Sequence, residues 1–464
     1  MNILLSNNVE VEDPSPEIIQ FCKTELTMAN PEYAKKERMG FWLGDTPKTL
    51  YLFSRRGNTL ILPFGVWERV LALSPDETPL KTAFFKAREV SYGSVSLYNY
   101  QSIAVNDMFE AGYGILQAPA GSGKTQMGLS LISRFKRRAL WITHTKDLLK
   151  QSRDRAALYF ASSLFGTITE GKIEIGESIT FATVQTLSKI DLRPYKDYWD
   201  VVIVDECHRV SGTPTKITQF YYVLSQLAAP HKIGLSATVH RADGTIKATL
   251  AILGPIKATV SPEAVQDRVM QVGIKPRNTG TLESLSYCDT DGVIVYTKLI
   301  NYLVENAARN RFIRDDLVIE REHSCLILSD RIEHLETLRD SLPPELKERS
   351  ALITGKMTTK KGKAEREAAI ADMRSGKLTY LFASYALAKE GLDIPRLDRL
   401  FLASPQKDYA VVTQSVGRIA RKVEGKGDPI VYDYVDERIG FLVRAYRKRR
   451  STYKKLGCYE VRTE

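Results

Sequence analysis

The segment Ala118-Pro-Ala-Gly-Ser-Gly-Lys-Thr125 constrains this chain more than any other. It follows an apolar run, GILQA (114–118), and opens a segment that reads as a helix through Phe135. Glycines let backbone N–H groups converge without steric strain, and a helix N-terminus adds partial positive charge. Such a loop cradles phosphates. Ala120, Gly121, Ser122 and Gly123 would form the cradle, Lys124 would reach the β/γ-phosphates, and Thr125 would offer its hydroxyl to Mg²⁺. The position where this pattern usually begins with glycine is Ala118 here. A loop of this kind sits between a strand and a helix, so the surrounding chain should supply strand–helix units.

It does so twice. ALWIT (139–143), ITFAT (179–183), VVIVD (201–205) and KIGLSA (232–237) continue the first series. CLILS (325–329), ALIT (351–354), YLFAS (380–384), LDRLFLA (397–403) and PIVYDYV (429–435) form a second. Strands this apolar, alternating with amphipathic segments, predict parallel sheets covered on both faces. Between about 261 and 312 the series pauses in a more polar stretch. Residues 1 to about 90 read differently, as an accessory DNA-binding domain: TLYLF (49–53) and TLILPF (59–64), joined by SRRGN, predict a hairpin whose basic tip, Arg55 and Arg56, would contact duplex DNA. Trp42, Phe64 and Trp67 are assigned to the core of this small domain. The expected division is 1–90, 91–260, a linker region 261–312, and 313–464.

Composition excludes other classes. The longest apolar runs are far too short to span a bilayer. The N-terminus has neither a basic segment nor a long apolar one, so no signal peptide is expected. Five scattered cysteines show no zinc spacing and suit a cytosol-like compartment. A net charge of +11 is compatible with a polyanionic partner. Arg444-Ala-Tyr-Arg-Lys-Arg-Arg450 mixes cations with an aromatic ring, as phosphate contact or a solvated tail would.

Asp205-Glu206-Cys207-His208 ends the strand VVIVD, and ligands of open parallel sheets gather beyond strand carboxyl ends. Asp205 suits Mg²⁺ and Glu206 an attacking water. Together with the loop at 118–125, the order of motifs resembles superfamily 2 helicases and translocases. That resemblance extends to Ser236-Ala-Thr238, to Gln414-Ser-Val-Gly-Arg418-Ile-Ala-Arg421, and to Lys389-Glu-Gly391-Leu-Asp393-Ile-Pro395. It implies two tandem RecA-like parallel-sheet domains of the P-loop NTPase class, preceded by a small β-rich/α+β domain. Arg418 and Arg421, near one helical turn apart, would stabilise charge on the transferring phosphoryl group, with Gln414 beside them. Tyr98-Asn-Tyr-Gln101 looks like an adenine-recognising element, with Gln101 on the base and Tyr98 free to stack or to pack. Thr143-His144-Thr-Lys146, Thr186, Ser329, Thr354 and Gly355 resemble contacts to the nucleic-acid backbone.

Gly234-Leu-Ser-Ala-Thr-Val-His-Arg-Ala-Asp243-Gly244 and Ala307-Ala-Arg309-Asn310-Arg311 are similar to the branch that holds XPB, type III restriction motors and UvsW-type phage helicases. About 30 residues follow the last strand, which leaves no room for a restriction nuclease. The resemblance is greatest to the phage type. It implies ATP and Mg²⁺ as cofactors, host cytoplasm as location, and branched DNA as partner, whether fork, Holliday junction or single-strand/duplex junction. Other recombination or replication proteins are possible partners. An RNA helicase stays open, since these motifs do not separate DNA from RNA. A nucleotide-gated clamp without hydrolysis is disfavoured by the complete set of acidic and basic residues.

Overall fold

The computed structural model describes residues 1–461 except 77, 85–88, 120, 238–244, 266–268, 356, 358, 390, 391 and 393, and not the side chains of 360, 389 and 410. It forms two compact units, Met1–Ser261 and Pro262–Glu464.

The first unit is built on eight strands. From one edge they run Lys172–Glu174, Gly166–Thr169, Ile179–Thr183, Ala139–Thr143, Val201–Asp205, His231–Ser236, Gly114–Gln117 and Ile256–Thr259. All neighbours pair in parallel except the antiparallel pair at the Lys172–Glu174 edge. Every residue of Ala139–Thr143, Ile179–Thr183 and Val201–Asp205 is buried, as strands covered on both faces require. The helix Lys124–Phe135 lies directly on the sheet. A Cβ on Gly128 would come within 2.8 Å of Leu235 and Trp141, so glycine is what permits this approach.

The second unit carries seven parallel strands in the order Ser350–Ile353, Tyr380–Ser384, Cys325–Ser329, Arg399–Leu402, Ile430–Val435, Gly273–Asn278 and Tyr459–Glu460. The two α/β units and the β-rich N-terminal region agree with the fold class expected from sequence. Gly273–Asn278 comes from the stretch read as a polar linker. Its sequence GIKPRN alternates poorly, and Pro276 cannot donate to a ladder. Tyr459–Glu460 flanks only Gly273 and Ile274, so the Pro276 side lies past the end of that short edge strand.

The N-terminal sheet orders Ser54–Arg56, Thr59–Pro63, Asn8–Glu12, Asn2–Leu5 and Leu80–Thr82. The expected hairpin is shorter than the sequence suggested. Ser54–Arg56 pairs with Thr59–Pro63, whereas Thr49–Tyr51 pairs with Thr27–Ala29. Gly57, at φ +60°, makes the tight turn, which pulls both arginines out of the loop and into the edge strand. Phe64 is buried and Trp67 packs on Tyr113 at 5.5 Å between ring centroids, but Trp42 is 87% exposed and is not core.

Candidate functional site

The strand Gly114–Gln117 delivers the loop at 118–125, and the Ala118 N–H donates to the Ser236 carbonyl at 2.9 Å. Gly121 and Gly123 adopt φ of +82° and +80°, the region that favours glycine. Lys124 and Thr125 open the helix Lys124–Phe135. The Lys124 ammonium lies 3.4 Å from the Ala118 carbonyl and 3.5 Å from that of Pro119. Ser122 is fully buried and its hydroxyl has no hydrogen-bond partner among the described residues. Ala120 lies outside the described residues.

One strand away from the Gly114–Gln117 strand is His231–Ser236, and the next is Val201–Asp205, so the loop and Asp205-Glu206 share one end of the sheet. Burial and the neighbouring Glu206 carboxylate push the Asp205 carboxyl above its ordinary value, while the Lys124 cation pulls it back. Glu206 holds a left-handed φ of +52°. Strain of that kind in a residue with a Cβ clusters at functional sites. Cys207 is buried against Gly234, where a Cβ would meet the Cys207 Sγ at 2.7 Å. That close fit brings His208 to Ser236. The His208 Nδ1 stands 3.1 Å from the Ser236 hydroxyl and 3.2 Å from a Glu206 carboxylate oxygen. The acidic turn and the Ser-Ala-Thr segment are therefore joined by one imidazole, a link that residue spacing does not reveal. Thr238 and the run 241–244 lie outside the described residues.

Gln101 sits differently from the adenine-reading role expected of it. Its side chain is 1% exposed. Its Nε2 donates to the Ser122 carbonyl at 2.8 Å, and its Oε1 accepts from the Tyr98 N–H at 2.9 Å. The Tyr100 hydroxyl donates to the same carbonyl at 3.1 Å. A Cβ on Gly123 would meet the Gln101 amide at 2.4 Å. Gln101 thus braces the phosphate loop from beneath. Tyr98 is exposed and stacks with Tyr100 at 6.0 Å.

The segments expected to touch a nucleic-acid backbone are less open than sequence suggested. Thr143 and His144 are buried, and burial lowers the His144 imidazole to about 4. Thr145 instead caps the helix Lys146–Ala156, accepting from Leu148 N–H at 3.2 Å. Lys146 is exposed and pairs with Glu170 at 3.1 Å. Thr186 shares a hydrogen bond with Thr183 at 3.0 Å, and the Gln185 amide donates to the His144 carbonyl at 2.8 Å. Arg55 donates to the Gly57 carbonyl and Arg56 pairs with Glu10, both at the surface.

In the second unit Ser329 is fully buried, hydrogen-bonded to His334 at 3.0 Å, so it is not available to a backbone phosphate in this arrangement. Thr354 is half-buried and Gly355 exposed. Gln414 and Arg418 lie in the helix Tyr409–Ile419, and Arg421 lies beyond its end. The two arginines therefore do not share a helical face as their spacing implied. The Arg418 guanidinium donates to the Ala388 and Leu392 carbonyls at 3.0 and 3.2 Å, which ties it to the segment before Asp393. Gly391 and Asp393 lie outside the described residues. The Gln414 Oε1 is buried without a partner among the described residues. Of the tail, Arg449 is core: it holds Asp433 through Nε and Nη2 at 2.8–3.0 Å.

The donors on the first sheet fit a nucleoside triphosphate with Mg²⁺. A glycine-rich turn at a helix N-terminus and the lysine that follows it are the donors that phosphates need, and one hydroxyl plus one carboxylate is a normal protein share for a metal held chiefly by phosphates and water.

Comparison with known families agrees. Residues 94–241 match the model of the type III restriction enzyme res subunit, and residues 308–423 match the helicase conserved C-terminal domain. A putative ATP-dependent RNA helicase of Acanthamoeba polyphaga mimivirus is 25% identical, covering 90% of this chain and 78% of that protein. The DNA 3'-5' translocase XPB2 of Sulfurisphaera tokodaii is 26% identical, over 71% of this chain and 79% of its own length. Among solved structures, S. cerevisiae Dbp5 bound to RNA and ADP BeF3 is alike in fold at a TM-score of 0.56 and 17% identity, over 79% of this chain and 90% of that one. The chain belongs to the superfamily 2 helicases.

Proposed function

We propose that this helicase spends ATP to move along DNA and acts on branched junctions, promoting branch migration, fork regression and duplex unwinding. The observation that carries the ATPase half is the shared sheet end, where Lys124, Asp205 and Glu206 meet around a glycine nest. Bound Mg²⁺ and ATP supply the reacting phosphoryl group and the charge that stabilises its transfer. Lys124 neutralises phosphate charge, Glu206 orients the attacking water, and Asp205 with Thr125 holds the metal. Arg418 and Arg421 are assigned by motif to the charge that develops on transfer, with Gln414 beside them. Asp393 and Gly391 are assigned to the same turnover on the same ground.

DNA as the track rests on relatives. XPB2 is named a DNA 3'-5' translocase, and we assign the same direction to this chain. The name of the mimivirus relative favours a second reading, RNA. The net charge of +11 suits either.

ATP turnover and strand displacement should be measured side by side on single-stranded DNA, plain tailed duplex, replication fork, Holliday junction and single-stranded RNA. The fork and the Holliday junction should be processed fastest. Tailed duplexes should open from a 3' tail and not from a 5' tail. Stimulation by RNA alone would sink the DNA reading. Lys124→Ala and Glu206→Gln should each abolish turnover with the fold intact, and undiminished hydrolysis in either would refute the site assignment.

A further inference from the structure

Between the helix Pro31–Arg38 and the strand Thr49–Tyr51 the chain makes an excursion that begins with Met39-Gly-Phe41-Trp42-Leu43-Gly44. Met39 is 51% exposed, Phe41 58% and Trp42 87%. An aromatic side chain can bury 150–250 Å² on folding, so leaving two of them in water forgoes a large share of that gain. Adjacent exposed apolar groups of this size mark an interaction site.

The excursion is not a loose tail. The Phe41 N–H donates to the Lys36 carbonyl at 2.9 Å and the Thr46 N–H to the Leu43 carbonyl at 3.0 Å. Lys36 reaches the Thr46 hydroxyl at 2.7 Å. Buried Asn30 closes the base, donating from its side chain to the Pro47 carbonyl and from its backbone to that of Lys48. Glu32 ties the helix to Lys216 of the ATP-binding sheet's unit at 2.5 Å. The indole lies across Gly44, where a Cβ would meet the ring at 2.7 Å, and Gly44 has φ +46°. Glycine at 44 is thus what lets the ring lie down with its remaining surface open.

No residue of the helix Pro31–Arg38 is buried. Lys35, Arg38 and Lys48 are exposed on this helix and excursion, as are Glu32, Glu37 and Asp45, and Glu32 is already paired with Lys36 and Lys216. Rings beside cations are what unpaired nucleic acid requires, since each base has a face to stack and each phosphate a charge to meet. We propose that Phe41 and Trp42 form a stacking platform for unpaired bases, with Lys35, Arg38 and Lys48 on the adjoining phosphates. This rests on the nucleic-acid motor reading and adds to it a site where single strand is held.

The chain contains four tryptophans. Trp141 and Trp199 are core, and Trp67 is half-buried against Tyr113. Stacked bases should therefore quench emission from Trp42 alone. Titration of the full chain with oligothymidylate should give saturable quenching that Trp42→Phe removes, with oligothymidylate still bound. Trp42→Ala should weaken oligothymidylate binding roughly tenfold with basal ATP turnover unchanged. Heparin, a polyanion without bases, should bind without quenching. Quenching that survives in Trp42→Phe would overturn the platform. So would stimulation of ATP turnover by oligothymidylate without any quench. A Trp42-dependent quench with no nucleic-acid stimulation of ATP turnover would keep the platform and remove the motor reading.

Discussion

At the scale of single residues, Gln101 separates what spacing reveals from what only packing reveals. Its position before Lys124 pointed to adenine. Its two hydrogen bonds instead go to Tyr98 and Ser122, at 1% exposure. Sequence carries the residue type but not which of two polar neighbours claims the amide. Gln101→Leu keeps the volume but removes one of the two side-chain donors to the Ser122 carbonyl, leaving that of Tyr100, at a cost of about 1 kcal/mol. The loop should then hold phosphates less well, so the KM for ATP and for GTP should rise by the same factor. A rise for ATP alone would restore the adenine role. His208 teaches the same lesson. Its neighbours Glu206 and Ser236 belong to different motifs on neighbouring strands, and nothing in the motif letters says that one ring spans them. His208→Ala should leave basal ATP turnover within a few-fold while flattening its stimulation by nucleic acid. Stimulation at the wild-type level would show that this link carries no signal.

At the scale of elements, the apolar strands were legible because burial on both faces leaves continuous aliphatic runs, as in Val201–Asp205 and Cys325–Ser329. Gly273–Asn278 was not, since an element near a sheet edge can carry Lys275, Pro276 and Arg277. Nor was the stop of the helix Tyr409–Ile419 before Arg421, which no proline or glycine announces. A buried charge at an element joint is equally hard to read, because spacing does not announce the partner that an arginine will find. Arg309, on the helix Ala307–Ile319, is 1% exposed. Its Nε donates to Asp436 at 2.8 Å and its Nη1 to the Ala403 carbonyl at 2.7 Å. It pins that helix to the segment after the strand Ile430–Val435. Arg309→Met leaves the Asp436 carboxylate buried and should destabilise the second unit by about 3–5 kcal/mol. Adding Asp436→Leu should recover part of the loss, because the stranded charge is gone. It should not recover all, since the Thr279 hydroxyl also loses its 2.7 Å acceptor. Urea midpoints of the two variants would decide, and equal midpoints would refute the pairing argument.

At the scale of the molecule, the N-terminal sheet and the ATP-binding sheet of the first unit share a core. Ile3, Val9, Leu62 and Phe64 pack in one cluster with Tyr113, Ala248 and Ala251. A Cβ on Gly65 would sit 2.2 Å from the Gly254 nitrogen, so the two backbones nearly touch. At this seam Lys232 is 1% exposed, with its ammonium 3.1 Å from the Asn7 carbonyl, 3.0 Å from that of Leu224, and 4.5 Å from the Phe64 ring centre. Burial pulls its pKa down to about 7. In the unfolded chain a lysine keeps its proton to about 10.4. Between those values the unfolded state holds more protons, so the stability due to this group rises with pH. Below 7 both states are charged and the full desolvation cost stands. Lys232→Met has no such dependence, though it strands two carbonyls. The stability of the wild type relative to Lys232→Met should therefore grow as pH is raised from 7 to 9.5. A difference that stays flat across that range would mean that the two carbonyls and the ring keep the cation charged at this seam.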